Sequence, residues 1–228
     1  MNDVDVKKLE SLYRQIHICD RCHTILWGNI RFDPDKVQKK AFEKLLASEI
    51  FIVGQSLASN QVRLSGIPFH YPQGNRSEGG QLLEGHLNSV GYTLSPYSSR
   101  YKLAYVSDIV QCYPGRKPGG RGSGDKIPKK AEIENCQEWL LKEMSLIRPR
   151  ILILLGAPAT RTFFELYRIN SVTKNASEYY CKPEKLKYGV SDVTICALPH
   201  PTSMVKGKRK IWERTFNIIK GKLADRVE

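Results

Sequence analysis

Four short aliphatic runs separated by helical patterns constrain the fold of this chain most strongly. The runs lie at residues 50–54, 103–110, 150–156 and 193–198, and the helical patterns lie at residues 80–90, 128–147, 157–167 and 211–223. Short runs of continuous apolar residues are typical of parallel strands that are buried on both faces. Their alternation with helices predicts an α/β protein, a three-layer α/β/α fold around a central four-stranded parallel sheet.

Both ends of the chain carry amphipathic helical patterns. Over residues 4–18 the apolar positions recur at three and four, which predicts a helix that runs into Cys19. Trp212, Phe216, Ile219 and Leu223 form an apolar stripe in the last helical pattern, and we assign this stripe to the core. No internal repeat is present, so we expect one domain over residues 1–228.

The charge balance points to a polyanionic partner. The chain of 228 residues has 36 Lys and Arg against 23 Asp and Glu, a formal net charge of +13. Part of this excess can serve solubility alone, but it also favours nucleic acid. Residues 114–130 combine Gly and Pro with many basic residues, which predicts a surface loop, and Pro128 suits the first turn of the helix that follows.

The sequence predicts neither a membrane span nor a secretory signal. The strongest apolar run, residues 151–155, is far shorter than the roughly 20 residues that a bilayer requires. The first ten residues lack the basic and then apolar pattern of a signal peptide. We therefore expect a cytoplasmic, nucleoid-associated protein whose cysteines are reduced. We also expect the protein to be a monomer.

Four of the six cysteines suit a tetrahedral thiolate site. Cys19 and Cys22 form a C-x2-C pair, Cys112 follows the second strand, and Cys136 lies in the next helix. Spacing alone does not separate zinc from a four-iron four-sulfur (4Fe-4S) cluster. Cys196 lies inside an aliphatic strand and is assigned to the core, and Cys181 is interpreted as a free thiol or packing residue.

Unusual residues follow the predicted strands where ligands bind in parallel sheets. Gly54-Gln55-Ser56 ends the first strand, an SGIPF segment ends at Phe69, and LPHPTS with His200 follows the last strand. With these motifs the chain resembles the uracil-DNA glycosylase superfamily, whose iron-sulfur branch (family 4 and family 5) has GEAPG, G-x-PF and HPS motifs. The four cysteines match the layout of that branch, and the resemblance covers nearly the whole chain.

The resemblance implies a DNA glycosylase of base excision repair. Such an enzyme hydrolyses the N-glycosidic bond of a flipped deaminated base in duplex or single-stranded DNA, with uracil as the first expectation. It also implies a 4Fe-4S cluster held by Cys19, Cys22, Cys112 and Cys136, with zinc as the weaker alternative. Two further functions stay open: a glycosylase for hypoxanthine or xanthine, and a catalytically weak uracil- or DNA-binding protein on the same fold.

The resemblance also implies roles for the motif residues. Phe69 offers an aromatic face to the flipped base, as this phenylalanine does in the family. Backbone amides around Gly54, Gln55 and Ser56 donate to a base carbonyl oxygen. His200 stabilises the same oxygen as the base leaves.

Two departures from the family pattern affect catalysis. The first motif has Gln55 where family-4 enzymes have glutamate, so it contains no carboxylate, and slow turnover follows because an amide cannot accept a proton from water. Asp108 replaces an asparagine. A protonated Asp108 would still read uracil, whereas an ionised one would favour a base with N–H donors or act as the missing catalytic carboxylate.

Two basic segments are predicted to contact DNA. The loop at residues 114–130 is interpreted as a phosphate clamp, and the segment after HPTS is interpreted as a loop that enters the duplex, with Met204 and Val205 as its apolar wedge. The predicted contacts are Arg116, Lys117, Arg121, Ser203, Met204, Lys206, Lys208 and Arg209.

Overall fold

The computed structural model describes residues 3–22, 39–58, 78–119, 125–169, 175–188 and 191–225. Its helices are α1 (Asp3–His17), α2 (Lys39–Leu46), α3 (Glu78–Ser89), α4 (Lys130–Ile147), α5 (Gly156–Leu166) and α6 (Lys208–Ala224). Its strands are β1 (Ile50–Ser56), β2 (Tyr92–Thr93), β3 (Lys102–Leu103), β4 (Tyr105–Val110), β5 (Ile151–Leu155), β6 (Glu184–Tyr188) and β7 (Ser191–Leu198). A short 3₁₀ helix spans Ala176–Tyr179.

The main sheet has the strand order β4-β1-β5-β7-β6. The first four strands are parallel, as the sequence predicts, and β6 adds an antiparallel edge strand. The aliphatic pattern does not predict β6 because its sequence, EKLKY, is charged. Charged side chains on an edge strand hinder pairing with other chains.

Both faces of the sheet are covered, which confirms the three-layer α/β/α fold. Phe51 and Val53 of β1 point into a core formed with α1, α2, α4 and α5. Their neighbours Ile50 and Ile52 point into a second core formed with α3 and α6. This alternation follows from the two-residue period of a strand, and it explains why the strands are apolar at every position.

The stripe on the last helix belongs to the second core, as the sequence predicts. Trp212, Phe216 and Ile219 are buried there, and Leu223 packs against them. In α1 the predicted apolar face is buried against α2 and α4. Asp3 and Asp5 lie in its first turn, where their negative charges interact favourably with the helix dipole.

Two sequence predictions differ from the structure. The predicted strand at residues 103–110 is divided at Ala104, because Leu103 pairs with β2 whereas Tyr105 begins the pairing with β1. Pro128 is not in the first turn of α4. The helix begins at Lys130, where the Glu132 carboxylate accepts a hydrogen bond from the Lys129 amide at 2.7 Å.

A buried polar network connects α1, β4 and α4. The carboxylate of Glu143, which is fully buried, accepts hydrogen bonds from Tyr105, Ser107 and Gln111. The Tyr13 hydroxyl of α1 donates to the Tyr105 hydroxyl at 2.7 Å. Since a buried charge needs several hydrogen bonds to offset its desolvation, this network restricts how the two helices pack on β4.

A second carboxylate joins several elements at the amino end of the sheet. Glu49 accepts hydrogen bonds from Lys102, Arg150 and Tyr92 at 2.8 to 3.1 Å. Its backbone carbonyl also accepts from the amides of Arg150 and Ile151. Burial on its own would raise the pKa of Glu49, but the three side-chain hydrogen bonds outweigh burial and lower the pKa to about 2.

We predict that Glu49→Gln lowers the free energy of unfolding by about 1–3 kcal/mol at neutral pH, because two cationic donors lose their charged acceptor. A lowered folded-state pKa stabilises the protein above the unfolded pKa, and this stabilisation is lost as the pH falls towards the folded value. The difference from wild type is therefore largest above about pH 5 and narrows towards about pH 3. Urea unfolding at several pH values measures this difference in the free energy of unfolding, and Glu165→Gln, at an exposed position, is the control. An effect that is equal at all pH values would contradict the prediction.

Candidate active site

A cleft of about 570 Å³ opens at the carboxyl ends of the parallel strands. It brings together six residues that the sequence predicts from three separate segments: Gly54, Gln55, Ser56, Asp108, His200 and Ser203. The turn between β5 and α5 and the loop before α4 complete its walls. The position agrees with the rule that parallel sheets bind ligands beyond the carboxyl ends of their strands.

Gly54 and Asp108 face each other across neighbouring strands. The two residues are register partners in the parallel pairing of β1 with β4. A Cβ atom on Gly54 would overlap the Asp108 carboxylate, so a glycine is required here for this carboxylate to lie against β1. Asp108 is 3% exposed and lies at the inner end of the cleft.

His200 is oriented by the turn that contains it. Its Nδ1 accepts a hydrogen bond from the Thr202 amide at 3.3 Å and lies 2.8 Å from the Thr202 hydroxyl. Because an N–H donates to Nδ1, the ring proton is on Nε2, and the ring is neutral. Burial, and then the nearby Lys208 ammonium, lower the pKa of His200, which favours this neutral form.

Helix α6 holds the His200 turn in place, and two glycines leave room for its side chains. The Lys208 ammonium donates to the carbonyl oxygens of Pro201 and Ser203, and the Trp212 indole donates to that of Pro199. Cβ atoms on Gly79 or Gly156 would each come within 3.1 Å of side chains in this turn. The sequence predicts Lys208 as a DNA contact, which stays a prediction; in the structure its ammonium positions the turn.

The other predicted DNA contacts stay predictions, and the structure shows where they lie. Arg116 and Lys117 are exposed on the loop before α4. Met204 is 99% exposed and lies with the exposed Lys206 and Arg209 beside the His200 turn. Arg121 and Phe69 lie outside the described residues.

The cleft also contains Asp125 from the loop before α4 and Tyr180 from the turn before β6, and the sequence analysis assigns neither to the site. Residues 114–130 contain one acidic residue, Asp125. An isolated carboxylate in a basic, glycine-rich segment is the signal that could have identified it.

The four predicted metal ligands come from three elements that pack together. Cys112 and Cys136 are buried in one core cluster, and Cys19 packs against it. The Asn135 amide contacts the Cys22 sulfur at 3.7 Å, which places Cys22 next to α4. None of the six cysteines forms a disulfide bond, and in the described part of the chain no three potential ligands stand close enough together to hold a metal as they are placed.

This donor set fits a thiolate-bound metal centre. Four soft sulfur ligands suit zinc or an iron-sulfur cluster and suit hard cations poorly. The backbone N–H of Gln111 donates to the Cys136 sulfur at 3.1 Å, a contact typical of a sulfur that carries negative charge. By contrast, Cys196 is buried in β7 as predicted, and burial raises the pKa of its thiol to about 12.

Cys181 is half-buried and packs against α6. Its sulfur lies 3.6 Å from the Ile211 carbonyl and 3.8 Å from the Thr215 hydroxyl. These contacts agree with a packing role.

Comparison with known proteins identifies the family. The family model "Uracil DNA glycosylase superfamily" matches residues 42–220. The chain is 24% identical to the type-4 uracil-DNA glycosylase of Archaeoglobus fulgidus over 88% of this chain and 84% of that protein. It is also 24% identical to the type-4 enzyme of Sulfurisphaera tokodaii, over 93% of this chain and 83% of that protein. A type-5 uracil-DNA glycosylase of Pyrobaculum aerophilum is 31% identical over 34% of this chain and 33% of its own length.

Proposed function

The chain belongs to the uracil DNA glycosylase superfamily, and we propose that it is a DNA glycosylase of base excision repair that removes a flipped deaminated base, with uracil as its first substrate. One observation carries the proposal. Gln55, Asp108 and His200 come from distant parts of the sequence and line one cleft at the carboxyl ends of the strands. The site is wide enough for an extruded nucleotide, as this chemistry requires.

Asp108 reads the base in this proposal. Its carboxyl group is buried at the inner end of the cleft, where the polar edge of an entering base arrives first. If the group is protonated, its O–H donates to uracil O4 and its carbonyl accepts from N3–H. If it is ionised, it can only accept, and a base with two N–H donors such as xanthine is preferred.

His200 and the first motif stabilise the departing base. The proton on Nε2 of His200 donates to the base oxygen on which negative charge develops. Since Nδ1 accepts from the Thr202 amide, the neutral ring keeps its single N–H on Nε2 for this oxygen. Backbone amides around Gln55 and Ser56, at the end of β1, are the second set of donors, and the Gln55 side chain holds the attacking water.

DNA contacts surround the cleft on two sides. Arg116 and Lys117 face solvent on one loop and bind backbone phosphates, an interaction that weakens with added salt. The exposed Met204 and Val205 enter the duplex as an apolar wedge at the position of the flipped nucleotide. The basic net charge supports this assignment.

Cys19, Cys22, Cys112 and Cys136 would hold a 4Fe-4S cluster, with zinc as the weaker alternative. The cluster supplies cross-links between α1, the end of β4 and α4, since hydrolysis of a glycosidic bond needs no electron transfer. Within the described residues, no helix has the length and hydropathy to cross a membrane. We further propose one domain that acts as a monomer on DNA in the cytoplasm, associated with the nucleoid.

We predict that the purified wild-type protein is brown, with the broad visible absorbance of an iron-sulfur cluster, because four soft sulfur ligands on packed elements suit such a cluster. Cys136→Ser removes a buried ligand and should abolish the colour and lower the thermal stability. Cys196→Ser changes a buried cysteine that is not a ligand and should keep the colour. Iron, sulfide and zinc analysis of the three proteins measures the outcome, and a colourless protein with stoichiometric zinc would support the zinc alternative.

We predict that wild type cleaves uracil-containing oligonucleotides in single-turnover assays and that His200→Ala cleaves them at least about 100-fold more slowly, because a preorganised donor to the leaving oxygen is lost. Substrates with uracil, hypoxanthine or xanthine, single-stranded and opposite each base, identify the preferred base. DNA affinity should be retained in the variant. Salt-sensitive binding with no cleavage of any base would show that the protein is a binder on the glycosylase fold.

The substitution Asp108→Asn separates the two readings of this residue. We expect faster uracil cleavage and weaker xanthine cleavage if Asp108 is ionised, because an amide restores the donor to O4. Rates on the same three bases measure this change. Loss of cleavage on every base would mean that Asp108 is catalytic and does not set specificity.

A further inference from the structure

The cleft contains a second carboxylate that lies outside the recognised motifs. The first motif has none, although hydrolysis of a glycosidic bond gains from a group that accepts a proton from water. Asp108 and Asp125 both line the cleft. The question is which of them meets the water and the sugar.

Asp125 is held by a turn of the backbone before α4. Residues Arg116 and Asp125 form an antiparallel bridge, and the Lys126 amide donates to the Gly115 carbonyl at 2.8 Å. Gly115 has φ +90°, a left-handed conformation that favours glycine, and the Lys126 side chain lies over it. The carboxylate therefore has a defined backbone position beside the cleft.

The Tyr113 side chain connects Asp125 to the first motif. The Tyr113 hydroxyl donates to Asp125 Oδ1 at 3.1 Å, and its ring is only 5% exposed. The ring packs against Leu57, which follows Ser56 directly and is fully buried. Asp125 is thus anchored, through one tyrosine, to the strand end that carries Gln55.

Depth in the cleft separates the roles of the two carboxylates. Asp108 is 3% exposed at the inner end, whereas Asp125 is half-buried. An extruded base enters first and reaches the inner end, while its sugar and the attacking water stay nearer the opening. The carboxylate that meets sugar and water is therefore the one nearer to solvent.

Resting on the glycosylase function proposed above, we propose that Asp125 is the catalytic carboxylate of this enzyme. The C1′–N bond breaks and its electron pair leaves with the base. The oxygen of a water molecule held by Gln55 forms a bond to C1′, and Asp125 accepts the proton that this water loses. The base anion, stabilised by His200, takes up a proton from solvent, so that one water is consumed for each free base and abasic site formed.

The test compares single-turnover rates of uracil cleavage at saturating enzyme for wild type, Asp125→Asn and the matched control Asp192→Asn. Asp192 is an exposed carboxylate at the start of β7, at the opposite end of the sheet from the cleft. We expect Asp125→Asn to lower the rate by about 10²- to 10⁴-fold, with DNA affinity unchanged. Asp192→Asn should match wild type.

Two further variants keep the test decisive if Asp125→Asn changes the loop. Asp125→Glu retains a carboxylate and should be at least about tenfold faster than Asp125→Asn. Tyr113→Phe removes the orienting hydrogen bond and should lower the saturating rate without changing DNA affinity.

The outcomes separate this inference from the proposed function. If wild type and Asp125→Asn cleave uracil within about threefold of each other while His200→Ala is inactive, the protein is a glycosylase and the role of Asp125 is wrong. If wild type cleaves no base, both proposals fail. A large loss in Asp125→Asn with retained binding and a normal Asp192→Asn supports the inference.

Discussion

Parallel pairing of β1 with β4 and β5, and of β5 with β7, is the constraint on which the site depends. Parallel strands end at one edge of the sheet, so residues more than a hundred positions apart, such as Gln55 and His200, meet in one cleft. The register is equally important. Gly54 lies opposite Asp108, and a side chain there would occupy the space of the carboxylate.

The buried network around Glu143 connects the cleft to the cysteines. Gln111 donates through its side chain to Glu143 and to the Asp108 carbonyl, and through its backbone to the Cys136 sulfur. These contacts join β4 to α4. A metal centre bound by the four cysteines would therefore stabilise the strand end that carries Asp108.

Two loops line the opening of the cleft, the turn with His200 and the loop before α4. The turn with His200 is fixed by Lys208 and Trp212 from α6, and Met204, Lys206 and Arg209 beside it are exposed. The loop before α4 presents basic residues to solvent and Asp125 to the cleft. Side chains that hold the backbone and side chains that face solvent thus alternate within short segments, and the net charge does not distinguish them.

The four parallel strands, the helices between them, the core stripe of α6 and the family are all predictable from the sequence, because apolar periodicity and strand-end motifs are local patterns. It did not predict β6, whose charged edge sequence lacks the aliphatic pattern, or the break at Ala104, where the chain changes its pairing partner. The inward direction of Lys208 and the entry of Asp125 into the cleft appear in the structure alone. Lys208 contacts carbonyls five and seven residues away, so its direction depends on the geometry of one turn, which apolar periodicity does not predict. Asp125 depends on Tyr113, whose packing against Leu57 joins distant segments and is not encoded by a local pattern.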